Sequence, residues 1–127
     1  MKLRIKGNSV RLRLTQSEVQ NFGQSGVIEE KMQSQGQEFS YRMLASDSMP
    51  FSLEIEPFKL TIYLPVEQVR QWAGSDQVGM ETKQITDQAA GLKILIEKDF
   101  ACLTDRPWED ESDNFPHPDS GSMHDHV

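Results

Sequence analysis

Two stretches of this chain, residues 2–28 and 52–79, share one pattern of apolar and polar residues, and this repeat constrains the fold more than any other feature. The apolar residues recur first at every second position and later at every third, which predicts a hairpin followed by a short helix. The repeat predicts architecture and leaves the chemistry open. A shift of 50 positions aligns Leu3, Ile5, Val10, Leu12, Leu14, Val19 and Phe22 with Leu53, Ile55, Leu60, Ile62, Leu64, Val69 and Trp72.

Turn and cap residues place the ends of the predicted elements. Gly7-Asn8 suits a tight hairpin turn, and Thr15-Gln16-Ser17-Glu18 has the capping-box pattern that begins a helix. That helix is expected to end near Phe22, at Gly23 and Gly26, and the second helix is expected to have Pro65 as its first residue. The predicted strands are residues 2–6, 9–14, 27–33, 37–44, 52–56, 59–64, 78–84 and 92–100.

The predicted fold is α+β and mainly antiparallel β, because strands that short turns join pair antiparallel. Two duplicated ββαββ units would form an eight-stranded barrel or sandwich with two short helices. Residues 1–104 would be a single domain made of two pseudo-repeats, 2–46 and 52–100. Phe22 and Trp72 would close the ends of the core. The predicted inward side chains are Leu3, Ile5, Val10, Leu12, Leu14, Leu53, Ile55, Leu60, Ile62, Leu64, Leu92, Ile94 and Ile96.

Composition indicates an ordinary globular protein. A chain of 127 residues with 36% hydrophobic content can bury a core without disulfides. Its one cysteine, Cys102, cannot form an internal disulfide, and the sequence has neither an apolar leader nor a membrane-length apolar run. We therefore expect a cytoplasmic protein with no membrane association. Cys102 is interpreted as structural because no histidine lies near it in the folded part.

The net charge of −7 is concentrated at one end of the chain. Residues 105–127 contain seven acidic residues against Arg106 alone, which leaves about −1 for the rest. The prolines and the shortage of apolar residues predict a flexible acidic tail, with Trp108 and Phe115 as points of attachment to the domain.

The first hairpin is strongly basic. Its five cations would share one outward face, and like charges that face each other in a sheet repel, so the face is a candidate for binding an anionic ligand or an unknown protein. The acidic tail of the same chain is a third candidate for binding to this basic face. The simpler interpretation is a solvated face balanced by Glu29, Glu30, Glu54 or Glu56. The acidic protein and the few aromatics beside the cations argue against nucleic acid. The five are Lys2, Arg4, Lys6, Arg11 and Arg13.

The histidines His117, His124 and His126 all lie in the last eleven residues. With Asp119 and Asp125 they offer imidazole and carboxylate ligands for nickel, copper or zinc, although a flexible terminus is more often solvated. No other cofactor and no catalytic residue is predicted, because the phosphate-loop, dinucleotide, hydrolase and zinc motifs are absent.

Two resemblances to known families bear on function. The start KLRIKGNSVRLRL and the end ILIEKDFACL resemble the two ends of a family of small uncharacterised bacterial proteins, which would cover nearly the whole chain and implies no activity. Glu54-Ile55-Glu56 resembles part of the E-x-E-x-K strand of triphosphate tunnel enzymes of the CYTH superfamily, which are eight-stranded barrels. Here Phe58 stands at the lysine position, and Pro57 interrupts the strand.

These observations lead to two predictions of function. The first is a non-catalytic binding protein, and the alternative is a metal-dependent phosphohydrolase of the tunnel type. The alternative requires the ionic groups Arg11, Arg13, Glu54, Glu56 and Lys59 to converge inside a barrel, whereas a binding protein would present them to solvent. The partner and the oligomeric state are left open.

Overall fold

A computed structural model describes residues 1–84, 91–100 and 113–115. The order of its elements is ββαββ followed by ββαββ, as predicted. The elements are β1 (Lys2–Lys6), β2 (Ser9–Leu14), α1 (Gln16–Ser25), β3 (Val27–Ser34), β4 (Gln37–Ser46), β5 (Ser52–Glu56), β6 (Lys59–Pro65), α2 (Val66–Ala73), β7 (Gly79–Gln84) and β8 (Leu92–Lys98).

The strands form two four-stranded sheets. The first sheet has the order β1-β2-β8-β7, and the second has the order β3-β4-β6-β5. Each sheet thus combines the first hairpin of one half of the chain with the second hairpin of the other half. The sheets do not close into one barrel, so the sandwich is confirmed and the barrel alternative is wrong.

The two central strand pairs depart from the antiparallel rule. β2 pairs with β8 in parallel, and β4 pairs with β6 in parallel. The rule holds for strands that a short turn joins, and all four hairpins obey it. The central partners come from different hairpins and are not joined by a short turn, so no turn dictates their direction.

The two sheets have equivalent pairing registers. Leu3 pairs with Leu12 in the first sheet, and the residues 50 positions later, Leu53 and Ile62, pair in the second. Across the parallel pairs, Leu12 lies beside Ile96 just as Ile62 lies beside Met43. Each outward position of the first sheet therefore has a counterpart in the second.

The core lies between the sheets and under the two helices. Phe22 of α1 and Trp72 of α2 are fully buried, and the Trp72 Nε1 donates a hydrogen bond of 3.0 Å to the Val78 carbonyl. The buried apolar residues are Val10, Leu12, Leu14, Val19, Phe22, Met43, Leu60, Ile62, Leu64, Val69, Trp72, Met80, Ile94 and Ile96. Most of the predicted inward set is among them.

Two of the predicted inward residues are exposed. Ile5 and Ile55 occupy equivalent positions and are 56% and 76% exposed. They share the face of the packed residues Leu3 and Leu53 but lie one step nearer the hairpin turns, away from the helices. The alternation of polar and apolar residues predicts which face of the strand a side chain is on. It does not predict how far along the strand that face is buried by the rest of the protein.

Two helix boundaries also differ from prediction. Gly23 lies inside α1, where an added Cβ would stand 3.0 Å from the Cβ of Ala73 on α2. Its role is therefore close helix contact, and Gly26, with a φ of 78°, ends the helix. Pro65 has an extended ψ of 134°, so it ends β6 and α2 begins one residue later.

Residues 113–115 lie against the start of α1 and the end of β8. The Gln16 amide donates to the Asp113 carbonyl at 2.8 Å, and the Phe115 amide donates to the Asp99 carbonyl at 2.8 Å. This short piece of the expected tail therefore contacts the domain, while Trp108 and the rest of residues 105–127 lie outside the described residues. Neither α1 nor α2 is long and apolar enough to cross a membrane.

Candidate functional site

The outer face of the first sheet carries all five predicted cations. Alternate residues of β1 and β2 point away from the core, and the register places them in rows that continue onto β8. We name the rows by position, from the hairpin turn toward the helices. The turn row is Lys6, Ser9 and Lys93, the middle row is Arg4, Arg11 and Leu95, and the helix row is Lys2, Arg13 and Glu97.

The cations of the helix row contact carboxylates on β8 and directly after it. Glu97 Oε1 lies 3.3 Å from the Nε of Arg13 and 3.2 Å from the Nε of Arg11. The Nζ of Lys2 lies 3.2 Å from Oδ2 of Asp99, whose side chain is only 7% exposed. These three cations thus contact two carboxylates, and the simpler interpretation, a solvated surface with its own counter-charges, accounts for most of their charge.

The rows nearer the turn are not balanced in this way. Arg4 lies directly across from Arg11, which places two like charges in register. Within residues 1–84, 91–100 and 113–115, neither Arg4 nor Lys6 has a carboxylate within ion-pair distance. Lys93 lies near Glu81, with 3.7 Å between Nζ and Oε2 and both side chains about half exposed. Water screens such a pair strongly.

The acids that were expected to balance the hairpin belong to the other sheet. Glu29 and Glu30 are on β3, while Glu54 and Glu56 are on β5. Glu30 instead binds the ammonium group of Met1 at 2.7 Å. The positive charge of Arg4 and Lys6 therefore remains uncompensated in the part of the chain that the structure describes.

A surface cavity of about 230 Å³ lies over the turn and middle rows. Its lining adds three residues that sequence reasoning missed, namely Ser9, Lys93 and Leu95. The alternation along residues 92–98 places Lys93 and Leu95 on one strand face, but no local signal indicates that β8 pairs with β2. The lining residues are Arg4, Lys6, Ser9, Arg11, Lys93 and Leu95.

The ionic groups of the tunnel-enzyme alternative do not converge. Glu54 and Glu56 lie exposed on the outer face of the second sheet, where the Tyr63 hydroxyl donates to Glu54 Oε1 at 3.0 Å. Arg11 and Arg13 lie on the outer face of the other sheet. The carboxylates and the arginines thus face solvent on different sheets.

The other candidate sites fall mostly outside the described residues. His117, His124 and His126 lie there, and so does Cys102. Among the residues that the structure does describe, no group of three or more histidine, cysteine, aspartate or glutamate side chains could hold a metal ion.

A buried lysine at the end of β8 is a feature that sequence reasoning missed. Lys98 Nζ donates to the Ser75 carbonyl at 2.7 Å and lies 5.4 Å from the centre of the Phe115 ring and 5.9 Å from the centre of the Trp72 ring. Burial lowers the pKa of Lys98, and the nearby charge of Asp76 opposes this only in part. These contacts attach residues 113–115 to the core, which is a structural role.

Comparison with known proteins assigns the chain to a family but gives no activity. The model of a family of unknown function, DUF7009, matches residues 1–119. Comparisons with curated proteins and with solved structures gave no significant match. The matched range includes both sheets, and the family description attributes no role to the basic face.

Proposed function

Because this chain belongs to the family of unknown function DUF7009, we propose its function from the geometry of its first sheet: it is a non-catalytic protein that binds an anionic partner. The partner would bind over the turn and middle rows of the outer face. Membership confirms the expected resemblance to an uncharacterised family. The bacterial origin, the internal duplication and the cytoplasmic location stay predictions.

One observation carries this proposal: neither Arg4 nor Lys6 has a carboxylate partner within the described part of the chain. Arg4 also faces Arg11 across the β1–β2 pair. Like charges directly opposite each other on a sheet destabilise it, whereas a facing pair of opposite charges contributes roughly 0.2–1 kcal/mol. An anion that contacts both side chains removes this repulsion, and the loss of repulsion adds to its binding free energy.

The same geometry favours binding over the phosphohydrolase alternative. Metal-assisted phosphoryl chemistry needs carboxylates and cations around one shared site. Here Glu54 and Glu56 are on the second sheet, and Arg11 and Arg13 are on the first. A binding surface needs only the cations, which are already together.

Two classes of anionic partner fit this face: a small anion, or an acidic segment of a protein, which includes residues 105–127 of this chain. Nucleic acid remains the less favoured partner because the protein is acidic overall, with a net charge of −7. Divalent metal binding by His117, His124 and His126 is a separate prediction, which titration with Zn²⁺ and Ni²⁺ would test.

The proposal can be tested with the full chain and two anionic probes. Fluorescence anisotropy with labelled polyglutamate and labelled heparin should detect binding at low salt that weakens as salt is added. Replacing both uncompensated cations, as Arg4→Ser with Lys6→Ser, should weaken binding of both probes by roughly tenfold or more, since two charged contacts are lost.

The second sheet provides a matched control. Glu54→Gln with Glu56→Gln changes the equivalent two positions of β5, and binding should stay the same or become slightly stronger. Undetectable binding of both probes by the wild-type chain would contradict the proposal. Equal binding by the wild type and the Arg4/Lys6 variant would contradict it as well.

A further inference from the structure

We propose that the cavity over the turn and middle rows is a site for a phosphate monoester, bound as its dianion. Arg4 and Lys6 would neutralise its two charges, Ser9 would donate a hydrogen bond to a phosphate oxygen, and Leu95 would contact the organic group. This inference rests on the proposed function and names the class of ligand for that same surface.

The number of uncompensated charges sets the charge of the ligand. Four cations line the cavity. Arg11 shares the Glu97 carboxylate with Arg13, at 3.2 and 3.3 Å, and Lys93 lies 3.7 Å from Glu81. Arg4 and Lys6 have no carboxylate partner among the described residues, so the lining has an excess of at least two positive charges and suits a ligand with two negative charges. A phosphate monoester carries about −1.5 to −2 at pH 7, because its second pKa is about 6. A carboxylate or a sulfate ester carries one charge and would leave one cation unbalanced.

The types of donor also suit a phosphoryl group. Arginine presents a planar fork of N–H donors that binds two oxygens of one phosphate, and lysine acts as a compact charge beside it. Ser9 lies between Lys6 and Lys93 in the turn row and adds a hydroxyl donor at the centre. Neighbouring strands are about 4.8 Å apart, so one tetrahedral group with three free oxygens can reach donors on all three strands.

Leu95 distinguishes an ester from inorganic phosphate. It is the one apolar residue of the lining and lies beside Arg11 in the middle row. An apolar side chain at the edge of a phosphate site contributes nothing to a fully hydrated ion, but it can contact the carbon atoms of an ester. A cavity of about 230 Å³ has room for a phosphoryl head and part of such a group.

Binding of four small ligands to the full chain tests this inference by calorimetry at pH 7.5. The probes are phenyl phosphate, phenyl sulfate, inorganic phosphate and acetate. Phenyl phosphate should bind roughly tenfold or more tightly than phenyl sulfate, which has the same shape and one charge fewer. Inorganic phosphate and acetate should bind more weakly than phenyl phosphate. Lowering the pH to about 5.5 should weaken only the phosphates, because they become monoanions.

Single substitutions then locate the site. Arg4→Ser and Ser9→Ala should each weaken phenyl phosphate binding, with the larger loss for the arginine. Arg13→Ser is the matched control, because Arg13 is on the same face but outside the cavity lining. A phosphotyrosine peptide that binds more tightly than phenyl phosphate would indicate that the ligand is a phosphorylated side chain of a protein. Equal affinity would indicate a small-molecule phosphate monoester.

The outcomes separate this inference from the proposed function. Equal affinities for phenyl phosphate and phenyl sulfate, together with polyglutamate binding that depends on Arg4 and Lys6, would overturn the phosphate site and leave the anionic partner. Arg13→Ser weakening phenyl phosphate as much as Arg4→Ser would also overturn it. Failure of every probe would overturn both. If a variant does not fold, the comparison of the four ligands on the wild-type chain still tests whether the site prefers a phosphate monoester.

Discussion

The two sheets share one pairing scheme and differ in the charge of their outer faces. Lys6 and Arg4 of β1 have Glu56 and Glu54 at the equivalent positions of β5. The inward positions, in contrast, keep apolar residues in both sheets, and Leu14 and Leu64 are both fully buried. Packing therefore requires apolar residues on the inner face of both sheets. The outer faces are under no such requirement, and at the positions of Arg4 and Lys6 they are basic in the first sheet and acidic in the second.

At the positions equivalent to Arg4 and Arg11, the second sheet has polar side chains that bind neighbouring side chains. At the position equivalent to Arg11 it has Thr61, which is fully buried and accepts a hydrogen bond of 3.0 Å from the Nε of Arg42. Glu54 accepts a hydrogen bond from Tyr63 in the same layer. These two positions of the second sheet are therefore occupied by side chains that already have partners, whereas Arg4 has no carboxylate partner among the described residues. This contrast is the reason to place the candidate site on the first sheet.

The largest effect is expected for the equivalent core positions. Leu14→Ala and Leu64→Ala should each lower the free energy of unfolding by about 2–5 kcal/mol, because each removes a fully buried side chain and leaves a cavity. Urea unfolding of both variants measures this. Ile5→Ala and Ile55→Ala are the controls, and each should cost about 1 kcal/mol or less because both side chains are mostly exposed. A small cost at only one of the two leucines would show that the halves are not packed alike.

A smaller effect is expected at the helix starts, which differ between the halves. α1 has a complete capping box between Thr15 and Glu18, whereas α2 follows Pro65 and has no side-chain cap. Thr15→Ala should lower the free energy of unfolding by about 1 kcal/mol. Thr15→Ser keeps the hydroxyl and should restore most of that loss in the same unfolding experiment. Equal stability of the two variants would mean that the cap bond contributes nothing.

The smallest effect concerns acid pH and the contact of residues 113–115 with α1. Hydrogen bonds from the side chains of Ser17 and then Thr15 hold the pKa of Asp113 below its ordinary value of 3.8. A carboxylate whose pKa is lower in the folded state than in the unfolded state stabilises the fold at a pH above its unfolded-state pKa. This contribution is lost as the pH falls from there through the folded-state pKa. Stability should therefore decrease on acidification below about pH 4. Asp113 is exposed, so the change is small.

Asp113→Asn should remove that part of the pH dependence, because an amide does not titrate in this range. Thermal unfolding of the wild type and the variant between pH 6 and pH 3 measures the difference. Ser17→Ala should reduce the same pH dependence from the donor side. Parallel pH profiles for the wild type and Asp113→Asn would show that the contact does not persist in solution.

Much of the local structure could be predicted because local sequence determines it. The ends of β1, β2 and β5 match the prediction, since turn residues and alternation define them. The capping box at Thr15 is also a local pattern, and it is present. The candidate site could be predicted only in part: the cations of the first hairpin are local, whereas Lys93 and Leu95 come from β8. β8 pairs with β2 in parallel, and no turn in the sequence joins the two strands, so the sequence gives no local sign of this pairing.

The sequence by itself determined which residues form strands and helices, and which side of each strand is apolar, because these depend on spacing along a few residues. Tertiary structure alone decided that β2 lies beside β8 and that Glu97 contacts both Arg11 and Arg13 while Arg4 and Lys6 have no carboxylate partner among the described residues. Charge balance depends on distances between side chains that are far apart in the chain. Only the packing of the whole domain sets those distances.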